Sequence, residues 1–155
     1  MYKQSEKERN NIMAEVDKLL CDCLYFTANR LSRVIGKMAE EEFLITGLSP
    51  NYALLVNIVN DHDGISQKEI GQSLHMKPST ITRFIDKLES KKLVERRSEG
   101  KNSFIFSTKE GKELQKDIDK AWQSLHDRYS KIIGCEEGEE LTLKLNMVGN
   151  ALENI

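Results

Sequence analysis

Between Lys77 and Arg83 the chain reads Lys-Pro-Ser-Thr-Ile-Thr-Arg, which gathers short hydroxyls and cations at the start of what reads as a helix. Pro78 suits the first helical position, where its missing N–H costs nothing and its φ is already helical. Ile81, Phe84, Ile85 and Leu88 recur at spacings of three and four, so one side of this helix is expected to be buried. The opposite side carries Ser79, Thr80, Thr82, Arg83, Asp86 and Lys87. Ser79, Thr80, Thr82 and Arg83 are side chains able to read base edges in a major groove, with the arginine fork best suited to guanine. Lys77 and the Pro78 helix start would sit near a phosphate, where the helix dipole favours an anion.

Such a helix needs elements that hold it out. Upstream, Ser66 and Glu69 form a capping box, in which a serine oxygen accepts from the third backbone N–H and the glutamate reaches back. A first helix, a tight turn and the helix from Pro78 therefore follow one another. Downstream, Val94–Arg97 and Ser103–Ser107 flank Ser98-Glu99-Gly100-Lys101-Asn102, whose Gly and Asn tolerate positive φ in a tight turn. By the period of two, Phe104 and Phe106 share a face and are expected to anchor the second strand to a core. Lys101 and Asn102 at the polar tip would meet backbone or minor groove, and Arg96 or Arg97 could pair with phosphate.

The run from Ser66 to Gly111 resembles the MarR family of bacterial transcriptional regulators. The likeness is carried by Ser-Thr-Ile-Thr-Arg, by Leu-Glu-Ser-Lys-Lys-Leu-Val-Glu-Arg after it, and by Thr-Lys-Glu-Gly beyond the hairpin. Helix order and chain length are similar too. Where that family usually carries Asp-x-Arg in the wing, this chain has Glu99-Gly100-Lys101, which keeps the charge signs but replaces the forked arginine contact with a point charge. The resemblance implies a mainly α fold: a winged helix-turn-helix with a two-stranded β wing and long N- and C-terminal dimerisation helices. It also implies DNA binding at a pseudo-palindromic operator, and a small-molecule effector pocket between the dimer helices and the DNA-binding lobe.

Composition bounds these readings. A chain of 155 residues is expected to form one domain, long enough to bury a core, and its 39% hydrophobic and 31% charged residues fit a soluble protein with much helical surface. No stretch approaches the roughly 20 apolar residues a membrane span needs. The start, MYKQSEKERNN, lacks an apolar signal region, so a cytoplasmic location and no membrane partner are expected. Net charge is −2, yet the segment from Lys77 to Lys101 holds eight cations against four acids, so attraction to phosphate would be focused on one surface.

The ends of the chain read as amphipathic helices. One is expected from about Asn10 to Glu42, with Ile12, Val16, Leu19, Leu20, Cys23, Leu24, Ala28, Leu31, Ile35 and Met38 in a stripe. Thr108 to Ile133 is expected as another, opened by a second capping box between Ser107 and Glu110. After Gly134-Cys135-Glu136-Glu137-Gly138, a last one carries Leu141, Leu145, Val148, Leu152 and Ile155. With no sheet for these stripes to cover, a symmetric homodimer with interleaved ends is expected. The winged-helix lobe then spans about residues 49–111, beginning with Ser49 and Pro50 as cap and first residue of a buried helix, and the dimerisation helices about 10–46 and 112–155.

Three cysteines without a secretory signal speak for reduced thiols. Cys21 and Cys23, two apart on one helix, would point about 200° apart and could not bridge, with Cys23 in the core. Leu20-Cys21-Asp22-Cys23-Leu24-Tyr25 resembles the reactive-cysteine segment of peroxide-sensing members of the same family, which makes Cys21 a possible redox sensor, although Ile35 and Ser49 stand where those sensors place tyrosines. His62, His75 and His126 are scattered, so no metal site is expected, and no cofactor motif, nucleophile elbow or phosphate-cradling loop points to an enzyme. Two function classes stand: a DNA-binding transcriptional regulator, most simply a repressor released by a small ligand or thiol oxidation, and a winged-helix protein-interaction scaffold without DNA.

Overall fold

The computed structural model describes residues 6–153. Its contacts divide into two units, one ending at Met38 and one beginning at Ala39. The first unit holds α1 (Glu6–Cys21) and most of α2 (Leu24–Glu42). The single helix expected from Asn10 to Glu42 is therefore broken at Asp22-Cys23. There the backbone tightens, Cys23 N–H donating to Leu20 O at 3.2 Å, and a new ladder begins with Thr27 N–H on Cys23 O at 3.0 Å. Asp and Cys are poor helix formers, and the Thr27 hydroxyl adds a bond to the same Cys23 carbonyl at 3.0 Å. Cys21 consequently ends α1, exposed, and Cys23 sits half-buried in the break instead of on a continuous core stripe. The apolar stripe is exposed over α1 and the start of α2, Leu19 at 72% and Leu24 at 66%, and passes through half-buried Leu31 and Ile35 to buried Met38.

In the second unit a short 3-10 turn, Phe43–Thr46, leads through Gly47 to α3 (Pro50–Asp61), with Pro50 in its first turn and Ser49 in the cap position, where its side chain makes no cap bond. Ala53, Leu55, Val56 and Val59 of α3 are buried. Then come β1 (Ile65–Ser66), α4 (Gln67–Ser73), α5 (Pro78–Ser90), β2 (Val94–Glu99) and β3 (Asn102–Ser107). The Ser66 box forms as read: Ser66 Oγ accepts from Glu69 N at 3.2 Å, and the Glu69 carboxylate accepts from Ser66 N at 3.0 Å.

The three strands form one antiparallel sheet in the order β1-β3-β2, with Ile65 and Arg96 on either side of Ile105. Both wing strands run longer than Val94–Arg97 and Ser103–Ser107. Their last rung is Glu99 opposite Asn102, which leaves Gly100-Lys101 as the turn, Gly100 taking a φ of 61° that suits glycine. The two-residue period holds, but the face that meets the core is the opposite of the one expected. Ile105 is fully buried and anchors β3, whereas Phe104 and Phe106 are half-buried on the other side. Alternation alone cannot tell which face meets the core.

Beyond the wing, α6 (Lys109–Glu113) and α7 (Gln115–Ile133) replace the one expected helix, with a local tightening at Leu114, whose backbone stays αR. Their cap is Thr108, whose hydroxyl accepts from Gly111 N at 3.0 Å, and not Ser107. Ser107 is still in the sheet, opposite Val94. The core joins Phe43, Leu55, Ile70, Ile81, Ile85, Leu88, Ile105 and Ile118, so α7 is packed onto the winged helix itself. Trp122 stands edge-on to Phe43 at 4.4 Å. Each such buried side chain contributes about 1.5–3 kcal/mol relative to exposure. In α8 (Cys135–Glu153), Gly138 is buried, while Leu141, Leu145, Val148 and Leu152 are 38–59% exposed; Ile155 lies outside the described residues.

Candidate nucleic-acid interface

The apolar side of α5 settles which residues it presents. Ile81, Ile85 and Leu88 are fully buried and Phe84 packs on Tyr52 at 4.6 Å, which turns Ser79, Arg83 and Lys87 to solvent and leaves Thr80 half-buried. Thr82 is less available than its type suggests. Its hydroxyl donates to Pro78 O at 3.0 Å and accepts from Gln67 Nε2 at 2.7 Å, tying α5 to α4. Lys77 occupies the cap position, extended and exposed, with no side-chain cap bond, so the positive end of α5 is not closed by a side chain of its own. The turn before it is tight: His75 sits at a φ of 51°, a conformation uncommon outside glycine and asparagine.

The wing brings Lys101 and Asn102, both exposed, to a cleft shared with Gln67, Gln72, Lys77 and Pro78. Four of the expected contact residues thus line one open surface. Glu153, from the end of α8, reaches the same cleft and meets His75 Nδ1 at 2.8 Å. The two wing arginines are engaged elsewhere. Arg96 pairs with Asp86 and Glu89. Arg97 lies 4.3 Å over the Phe106 ring and binds Glu95 at 3.1 Å; that partner holds its guanidinium charged more firmly than usual and pulls the Glu95 carboxyl below its ordinary range. Arg97, a candidate for phosphate contact, thus lies on the wing's own surface with its side chain 57% exposed. Of the eight cations from Lys77 to Lys101, Lys77, Arg83, Lys87, Lys91, Lys92 and Lys101 are exposed and make no ion pair among the described residues.

The base of the wing is pinned by polar groups that spacing did not reveal. Asp63 accepts from Ser107 N at 2.7 Å, which, with Lys112 at 3.3 Å, lowers its carboxyl below the usual range. Thr108 Oγ1 donates to Lys92 O at 2.6 Å. Gly111 is held so close that a Cβ there would lie 2.1 Å from Leu93 O. The two strands of the wing are thereby clasped where they enter and leave.

Residues 48–102 match the MarR family. The winged-helix segment belongs to that family. Solved structures agree with the fold. CouR from Rhodococcus jostii RHA1, bound to p-coumaroyl-CoA, is 23% identical, with 83% of this chain and 93% of that chain covered and a TM-score of 0.73. A MarR-family transcriptional regulator from Rhodococcus sp. RHA1 is 25% identical, with 83% and 94% covered and a TM-score of 0.73. The S. aureus MepR–DNA complex is 18% identical, with 84% and 98% covered and a TM-score of 0.74. Comparison with curated proteins gave no match.

Outside the MarR-family segment the chemistry is sparse. Among the described residues no group of three His, Cys, Asp or Glu is placed to hold a metal, and no single helix is long and apolar enough to cross a membrane. Cys135 is exposed, and Glu139 beside it, with Glu136 and Glu137, raises its thiol above the ordinary value, which disfavours a thiolate there. Gln67, Asn60, Asp63 and Gly111 are the contributors that sequence reasoning missed; only the glycine, as a possible close approach, carried a signal.

Proposed function

We propose that this chain is a sequence-specific DNA-binding transcriptional regulator that works as a homodimer and represses the promoter it occupies until a small ligand releases it. One observation carries the reading: the exposed start of α5, with Lys77, Ser79 and Arg83, lies beside a wing tip bearing Lys101 and Asn102. A helix of this type enters a major groove with its N-terminal residues on base edges, while a hairpin tip beside it reaches backbone or minor groove. In the proposed division of labour Arg83 reads a guanine, Ser79 and Thr80 read neighbouring edges, and Lys77, Lys87, Lys101 and Asn102 meet the backbone. Thr82 and Arg97 support the surface from behind.

Apolar residues left exposed on the terminal helices, Leu19 and Leu143 among them at 72% and 65%, support a second copy as partner. Among the solved neighbours, the transcriptional repressor CouR holds p-coumaroyl-CoA and MepR is in complex with DNA, which supports an effector and an operator here as classes. Release follows if the effector favours a spacing of the two α5 helices that no longer matches successive major grooves. Selection of bound genomic fragments, followed by titration at rising salt, tests the reading. Recovery of a shared inverted repeat whose binding weakens steeply with salt is the expected result; no duplex binding even at low ionic strength would favour the protein scaffold. The same assay with organic hydroperoxide reads thiol release: it requires loss of binding in the unmodified chain and retention in Cys21→Ser.

A further inference from the structure

Asn60, in the last turn of α3, sits where the winged helix, the wing and the long C-terminal helices meet. Its Nδ2 donates to Gly111 O at 2.9 Å and to Gln115 Oε1 at 2.7 Å, and its Oδ1 lies 2.8 Å from the Ser107 hydroxyl. One half-buried amide thus engages the end of β3, the middle of α6 and the start of α7. Its direction is fixed: rotated by half a turn, Oδ1 would face the Gly111 carbonyl, acceptor against acceptor. Gln115 is fixed in the same sense, since its Nε2 donates to Asn57 Oδ1 at 2.6 Å and to Asp119 Oδ1 at 2.8 Å, leaving Oε1 for Asn60. Asn57 stays on the helix side and does not touch the wing.

We propose that Asn60 is the positioning residue of the wing, setting where Lys101 at its tip reaches relative to α5. The inference rests on the regulator reading and adds to it. Both ends of the wing are clasped at this junction, by Thr108 on Lys92 O and by Gly111 against Leu93 O, and Asn60 holds the Gly111 and Ser107 side of that clasp. Without it, the strands keep their ladder but the hairpin can swing about its base, and the tip loses its fixed distance from the recognition surface. Asn60 makes no contact with DNA in this account; it acts through Lys101.

A double-mutant cycle read by fluorescence anisotropy on a selected duplex separates positioning from mere stabilisation. Asn60→Ala and Lys101→Ala are each expected to weaken binding about tenfold, and the double variant no more than Lys101→Ala alone, because one wing contact cannot be lost twice. Asn57→Ala, which breaks the same network on its helix side, is the control: any loss it causes should add to that of Lys101→Ala. All titrations are run well below the melting temperature of each variant. Additive losses for Asn60 and Lys101, or unchanged binding by Asn60→Ala, would overturn the proposal while leaving the regulator reading intact. Absence of duplex binding by the unmodified chain would overturn the regulator reading itself, and this inference with it.

Discussion

At the scale of single residues, position on α5 decides what each polar group is free to do. Arg83 is exposed and Thr82 is bound to Gln67, so the arginine, not the threonine, is expected to carry sequence preference. Arg83→Ala should lower binding to the preferred duplex by about 1–3 kcal/mol and relax discrimination, whereas Lys101→Ala should weaken all sequences alike and reduce the salt slope by about one. Binding curves on matched and scrambled duplexes, for both variants, check this. Asp63 offers a test by pH. Its carboxyl is lowered in the folded protein, so the unfolded chain binds the proton more readily, and its stabilisation is complete above the ordinary carboxylate range and lost as pH falls through the folded value. Being partly exposed, the site is worth about 1 kcal/mol or less at pH 7. Denaturant titrations should show Asp63→Asn less stable near neutrality, with the gap closing in acid. Residue types at the start of α5 were legible because they are contiguous. Gln67 is 15 residues from Thr82, and the partners of Asn60 are 47 to 55 residues from it, beyond any local pattern.

At the scale of elements, helical periods and the Ser66 cap are legible in the sequence, whereas strand faces, helix breaks and the cap beyond the wing are not. The Ser66 capping box and Pro50 and Pro78 in their first turns stand where the sequence put them, because those signals are chemical and local. The wing was read on the wrong face, since a strand of alternating apolar residues offers Phe104 and Phe106 on one side and Ile105 on the other, and only the sheet's packing chooses. Truncation distinguishes them. Ile105→Ala should cost about 2–5 kcal/mol of stability and Phe104→Ala clearly less, as read from denaturation midpoints. Equal losses would mean that β3 presents its faces differently. The shift of the cap from Ser107 to Thr108 was hidden for the same reason, since it depends on where β3 ends.

At the scale of the whole molecule, the stripes on α1 and α8 are the feature a single chain does not use. Ile12, Val16 and Leu19 on α1, and Leu145, Val148 and Leu152 on α8, are between 42% and 72% exposed. Apolar faces left exposed in this way call for a partner, and matching faces on α1 and α8 fit a second copy. Leu19→Glu is expected to shift the chain toward monomer in sedimentation equilibrium and to reduce operator binding more than half-site binding; an unchanged mass would place the contact elsewhere. The most direct test of the account is a hydroxyl-radical footprint of the unmodified protein on a selected genomic fragment. Two related protected patches are expected, their centres about 10–10.5 base pairs, or a multiple of that, apart, one for each α5 of a dimer. A single unrepeated patch, or no protection at low salt, would contradict it.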